Sequence, residues 1–256
     1  MKTRSRQVVS VEIGEILERV RNKLVVKAER PRKPNLVESP DWRERLHIAL
    51  GADGCQCHEF HGVWEAIVAS LEPTTHEPGR GYDAGVTLAE AVFLIVRHAR
   101  PEQVVETGVA RGVTSRVILE AMELNGVGQL FSIDLPPKNR AWRDEAGIAV
   151  SDSLRYRWIF VRGSSRQKLD GVLRLTPELP LFVHDSMHTY SNMTWEYQRA
   201  WAVLRPGGIL VSDDVEDNAA FVDFAARHDD LRGDPIIVEE EHRSGYIGLI
   251  QKALSV

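Results

Sequence analysis

Acids close four short apolar runs in this 256-residue chain: Glu106 after Val104-Val105, Asp134 after Leu130-Phe131-Ser132-Ile133, Asp185 after Leu181-Phe182-Val183-His184, and the pair Asp213 and Asp214 after Ile209-Leu210-Val211-Ser212. Runs of this length and composition read as strands. If those strands lie parallel in one sheet, their carboxyl ends share an edge, and ligands of open α/β sheets bind along that edge. The acids fall into two groups. Glu106 opens Glu106-Thr107-Gly108-Val109-Ala110-Arg111-Gly112, a glycine turn that leads to a helix start at Thr114 and Ser115. Gly108 lets backbone N–H groups come close to a bound molecule, and the helix start favours its anionic end. Asp185, Asp213 and Asp214 would repel one another unless protons or a cation offset them.

The spacing E-x-G-x-x-x-G departs from the G-x-G-x-x-G that cradles a pyrophosphate. A carboxylate at Glu106 opposes a pyrophosphate but attracts an ammonium or sulfonium group. S-adenosylmethionine (SAM) carries both cations; its carboxylate would lie near Thr114, and Asp134 would take its ribose hydroxyls. An acid in the place of Asp134 also serves dinucleotides, so a nicotinamide oxidoreductase on the same fold stays open. Oxygen ligands at Asp185, Asp213 and Asp214 suit a hard ion such as Mg²⁺, which would acidify a bound hydroxyl. His188, three residues beyond Asp185, is placed to accept that proton. The plainer alternatives are a packing turn, solvated strand-end acids and a packing histidine.

The chain that must position these groups has 43% hydrophobic residues, enough for one large α/β core with a small appendage. A net charge of −5 gives no reason to expect nucleic acid. Cys55 and Cys57 are too close in sequence for a useful disulfide and lack a second ligand pair for zinc, so a reduced, cytoplasmic chain is expected. No run approaches a bilayer's thickness. Val9, Ile13, Ile16, Leu17, Val20 and Leu24 make Ser10 to about Lys27 an amphipathic helix with several basic residues. Further helices are expected from Asp41 to Leu50 and from Val63 to Leu71. Residues 1–83 thus read as a helical cap through which two copies would pair, ending in a lid-like loop from Glu72. Residues 84–256 read as a Rossmann-like, doubly wound sheet of seven strands, mainly parallel, with an antiparallel last strand. Arg205-Pro206-Gly207-Gly208 reads as a turn, and Trp142 as part of a substrate rim.

The order E-T-G-V-A-R-G, S-I-D, V-R-G-S-S-R, H-D-S-M-H, L-R-P-G-G and S-D-D, spread from about Gly85 to Lys252, resembles class I SAM-dependent methyltransferases. It is most similar to metal-dependent O-methyltransferases of the catechol type and to their cephalosporin-hydroxylase-like and sugar-modifying relatives. The resemblance implies Glu106 near the methionine amine, Gly108 in the cofactor turn, Thr114 near the methionine carboxylate and Asp134 on the ribose. It implies Gly163, Ser165 and Arg166 around the adenine, Asp185, Asp213 and Asp214 as metal ligands, and His188 as general base. Catechol enzymes carry Lys and Asn where His188 and Asp214 stand, which turns the expected acceptor toward a sugar or glycosylated natural product. Their late acid, which holds a second hydroxyl, has candidates in Glu239, Glu240 and Glu241. The expectation is Mg²⁺-dependent methyl transfer from SAM to a hydroxylated small molecule. A non-catalytic SAM-binding assembly protein is the remaining alternative.

Overall fold

The computed structural model describes residues 2–52, 57–71, 84–136 and 146–255, with side chains from residue 14 onward and without that of residue 57. The side chains of Cys55 and Cys57, the segment from Glu72 to Asp83, and Trp142 lie outside the described residues. Three helices come first, α1 (Lys2–Ala28), α2 (Trp42–Leu50) and α3 (Cys57–Leu71). Then follow α4 (Val86–Ala99), β1 (Gln103–Thr107), α5 (Val113–Asn125) and β2 (Gln129–Asp134). After a 3₁₀ turn at Asp152–Arg157 come β3 (Trp158–Arg162), α6 (Ser165–Leu173), β4 (Leu179–His184), α7 (Tyr190–Val203) and β5 (Leu204–Ser212). A short α8 (Ala220–Ala225) precedes β6 (Ile236–Glu239) and β7 (Tyr246–Gln251).

The strands form one seven-stranded sheet in the order β3-β2-β1-β4-β5-β7-β6. The first five are parallel, and β7 runs antiparallel to both β5 and β6. This is the Rossmann-like sheet expected from the sequence. Alternation along the strands builds two cores. Val104, Leu130 and Leu181 face α2 to α5, and Val105, Phe131 and Phe182 face α6 to α8. Because both faces are covered, the central strands read as unbroken apolar runs. The front helices share this core: Trp42 and Leu46 of α2, and Phe60, Ile67 and Leu71 of α3, join the first cluster. Among the described residues no helix is long and apolar enough to cross a membrane.

Two elements differ from expectation. The Arg205-Pro206-Gly207-Gly208 segment lies inside β5, because the pairing with β4 shifts register between Leu179↔Leu204 and Leu181↔Ile209. Gly207, at φ 75°, takes up the resulting bulge. Helix α1 spans Lys2–Ala28, longer than expected, and lies against the carboxyl ends of the strands. There Arg162 Nε bonds Glu15 at 2.9 Å, Ser164 Oγ bonds Glu18 at 3.0 Å and Arg19 bonds the Pro136 carbonyl at 2.5 Å. Its apolar face is divided. Ile16 and Val20 border a cavity below, while Leu17 and Leu24 stay 64% and 62% exposed.

Strand order reverses between β1 and β4, and there the backbones come very close. Gly108 has φ 87°, and a Cβ at this position would stand 1.7 Å from the Asp185 carbonyl oxygen. Gly126, at φ 69°, has nothing within 4 Å of such a Cβ. Gly126→Ala is expected to cost about 1 kcal/mol, the left-handed penalty alone. Gly108→Ala should cost ~4 kcal/mol or leave no soluble chain, since backbone must move. Urea unfolding of the two variants compares them, and equal losses would refute the close-approach reading.

Candidate active site

The rim is assembled around a carboxylate. Glu196 on α7 is fully buried and accepts hydrogen bonds from Thr107 Oγ1 of β1 at 2.6 Å, Ser186 Oγ at 2.7 Å and Asn192 Nδ2 at 2.9 Å. It also meets Nδ1 of the equally buried His184, at the end of β4, at 2.7 Å. Burial alone would raise its pKa, but the His184 charge and the donated hydrogen bonds outweigh that and hold it at about 2. A buried anion so fully paired fixes its neighbours in one arrangement. The ends of β1 and β4 and the start of the 185–189 loop are therefore held together.

Above this knot lies a cavity of about 950 Å³, bordered by the Gly108–Arg111 turn, Asp134, Gly163–Arg166 and Asp185–His188. Asp213, Asp214, Asp217 and Arg243 close one side, and Ile16, Arg19, Val20 and Lys23 of α1 lie across it. Gly108, Asp134, Gly163, Ser165, Arg166, Asp185, His188, Asp213 and Asp214 thus share one space, although more than a hundred residues separate some of them in sequence. Burial pushes the Asp134 carboxyl up to about 6, against the backbone N–H groups of Leu135 and Ala110 that it accepts. Arg166 is set by hydrogen bonds to Asn192 at 3.2 Å and the Ser191 carbonyl at 2.6 Å, and it stacks on Trp195.

Glu106 and Thr114 do not border the cavity. Glu106 is fully buried beneath the turn, where Ser115 and Ser132 each donate to its Oε2 at 2.6 Å, and Oε1 has no partner. Burial, the largest influence, raises its pKa to about 7 despite those two bonds. Its charge is therefore muted, and the contrast between sulfonium and pyrophosphate rests less on Glu106 than its position in the sequence suggests. Thr114 is buried in the first turn of α5.

The three aspartates meet cations of the chain itself. Arg243 Nη2 lies 2.7 Å from both oxygens of Asp213 and 3.7 Å from Asp214. His188 Nδ1 bonds Asp214 at 2.9 Å, while its Nε2 has no hydrogen-bond partner and lies 3.8 Å from Asp185. Burial would lower the His188 pKa, yet the hydrogen bond and charge of Asp214, helped by Asp213 and Asp217, leave it raised. Asp214 is correspondingly lowered, its burial outweighed by His188. Asp185 is pushed well up, first by burial and then by Asp213 and Asp214. As a site for Mg²⁺ the expected ligands fit poorly. Among the described residues the group offering three ligand atoms within 4.8 Å of one another is His188, Asp214 and Asp217, not Asp185, Asp213 and Asp214.

Two of the three late acids serve elsewhere. Glu240 accepts the Thr87 and Leu88 N–H groups at 3.0 Å, capping α4, and Glu241 pairs with Arg43 at 3.4 Å. Sequence reasoning missed Arg243, the Glu196–His184 pair and the α1 side chains over the cavity. Arg243 carried no signal, being one charge in a polar connection, and Glu196 looked like an ordinary helix-surface acid.

Residues 105–215 match the family model described as a methyltransferase domain. No curated protein matches the sequence. Among solved structures the chain is similar to the O-methyltransferase TomG of Streptomyces achromogenes, solved with SAM and involved in tomaymycin synthesis, at 13% identity and a TM-score of 0.58, over 85% of this chain and 100% of that one. It is similar to an O-methyltransferase of Bacillus cereus solved with S-adenosylhomocysteine (SAH), at 15% identity and a TM-score of 0.53, over 82% and 96%. The SAH-bound methyltransferase PaMTH1 of Podospora anserina follows at 15% identity and a TM-score of 0.52, over 86% and 98%. The turn and the acids that frame the cavity thus lie within the segment that matches the methyltransferase-domain model, and the chain shares the fold of these O-methyltransferases.

Proposed function

We propose that this chain transfers a methyl group from SAM to a hydroxyl oxygen of a small molecule. The observation that carries the reading is one cavity with two chemically distinct ends. The Gly108–Arg111 turn, Asp134 and Gly163–Arg166 border one end, and His188, with a free Nε2, borders the other. The donor end fits SAM: Asp134 is an acceptor for vicinal hydroxyls, Ser165 and Arg166 surround the next stretch, and the volume is in the range of small-molecule sites. When bound, SAM supplies a sulfonium methyl carbon open to nucleophilic attack.

The residues of this chain supply the rest. His188 Nε2 accepts the hydroxyl proton, with Nδ1 held by Asp214 so that the ring keeps one orientation. The same pairing raises the imidazole's affinity for the proton. Oxygen then bonds to the methyl carbon as the sulfur–carbon bond breaks, and SAH and a methyl ether remain. Ile16 and Val20 of helix α1 add an apolar border to the same space. The polar lining near Asp217 and Arg243 supports a sugar or glycosylated natural product as the acceptor. Mg²⁺, the ion expected at the acids, would meet an Asp213 that Arg243 already holds.

His188→Gln is expected to bind SAH within about twofold of the parent chain by calorimetry. Its methyl transfer from labelled SAM to a panel of glycosides should fall at least ~100-fold. Unchanged turnover would remove His188 from the mechanism. Absence of SAH binding by the parent chain would remove the function. Glu106 gives a second expectation. Its folded pKa of about 7 exceeds the ordinary 4.5 of a glutamate, so its contribution to stability is present in full below pH 4.5 and lost as pH rises through 7. Relative to Glu106→Gln, the parent chain should lose about 3 kcal/mol of unfolding free energy between pH 4 and pH 8. Parallel stability curves for the two chains would contradict a buried, proton-sharing Glu106.

A further inference from the structure

We infer that Arg243 is the resident counter-cation of this acid cluster and stands where a divalent ion would otherwise bind. The inference deepens the methyltransferase reading by naming what balances its acids, and it rests on that reading only for the use of the cavity.

Arg243 is not a loose surface side chain, since only 17% of it is exposed. The connection between β6 and β7 that carries it is pinned at several points. Glu240 caps α4 through the Thr87 and Leu88 N–H groups at 3.0 Å. The Glu241 N–H bonds Thr87 Oγ1 at 3.0 Å, and the Glu240 N–H bonds the Gly245 carbonyl at 2.8 Å. Gly245 backs directly onto the acids, for a Cβ there would lie 3.4 Å from Asp214 Oδ1. From this base the guanidinium reaches both oxygens of Asp213 at 2.7 Å, with Asp214 at 3.7 Å and Glu240 at 3.8 Å.

A divalent ion at the same carboxylates needs near-octahedral oxygen contacts of about 2.0–2.1 Å for Mg²⁺. Asp213 is 2% exposed, and both its oxygens are engaged. A guanidinium cannot leave by losing its proton, so an ion would have to displace the whole side chain from a buried pairing. The other donor group, His188, Asp214 and Asp217, is no refuge. His188 Nδ1 is already bonded to Asp214, and the Arg243 charge is only 3.7 Å from the same carboxylate. The permanent charge of Arg243 and the His188 ring thus both face Asp213 and Asp214. The Arg243 Nε, buried without a partner in a residue that borders the cavity, leaves one donor for an acceptor oxygen.

The test uses Mn²⁺ as the probe ion, with free Mn²⁺ measured by paramagnetic resonance against the parent chain, Arg243→Gln and Arg243→Lys. Arg243→Gln is expected to bind Mn²⁺ at least tenfold more tightly than the parent chain, and Arg243→Lys to resemble the parent. Parent binding as tight as that of Arg243→Gln overturns the inference, as does an Arg243→Gln chain that gains no affinity. Should Arg243→Gln fail to fold, chelation of the parent chain decides. Methyl transfer that survives EDTA supports the inference; transfer lost to EDTA and restored by Mg²⁺ overturns it. SAH binding by the parent chain, measured alongside, reports on the methyltransferase reading alone, so the two can fail separately.

Discussion

A single buried carboxylate, Glu196, holds the site together. An unpaired anion in that position would be costly, so the chain surrounds it with donors from β1, β4, the loop after β4 and the first turn of α7. Each donor belongs to an element that must meet the others for a cavity to exist at the switch point. Hydrophobic packing places the strands to within a few ångströms, while the Glu196 pairing sets the final register of the loop that carries Asp185 and His188. Gly108 is the steric counterpart, since no side chain fits between its turn and the Asp185 carbonyl.

The electrostatics of the rim follow a similar rule of internal balance. Asp134 and Glu106 are raised by burial, Asp185 more so, and Asp214 is lowered by His188. The protein does not leave a bare cluster of negative charge for solvent ions to neutralise. It distributes protons and basic side chains so that the His188 ring, which borders the cavity, keeps a ring nitrogen without a hydrogen-bond partner. That asymmetry separates an accepting end from a polar but satisfied one.

Much of this was legible in the residues. The seven strands and their mainly parallel arrangement followed from short β-branched runs alternating with helical periods, and the shared rim followed from acids at strand ends. What could not be read was depth. Glu106 ends its strand like Asp134, yet one is sealed beneath the turn and the other borders the cavity, a difference decided by strand alternation and by the placement of Ser115 and Ser132. Asp213 looked like a free ligand because its partner lies 30 residues away on another loop. Likewise the Arg205–Gly208 turn was absorbed into β5 because pairing with β4 compensates for the glycines. Local signals identify elements well, whereas pairing across the tertiary structure decides which polar groups remain available.

The position of α1 bears on how the enzyme would turn over. The helix borders the cavity and is tethered by Glu15 to Arg162, by Glu18 to Ser164 and by Arg19 to the Pro136 carbonyl, contacts that run from exposed to buried. Ile16, Arg19, Val20 and Lys23 border the cavity, so a molecule that fills it would touch this helix as well as the strand ends. Salt screens the exposed Glu15–Arg162 pair and spares the buried Ser164–Glu18 bond, so rising ionic strength would loosen one end of the helix's hold on the strand ends and leave the other.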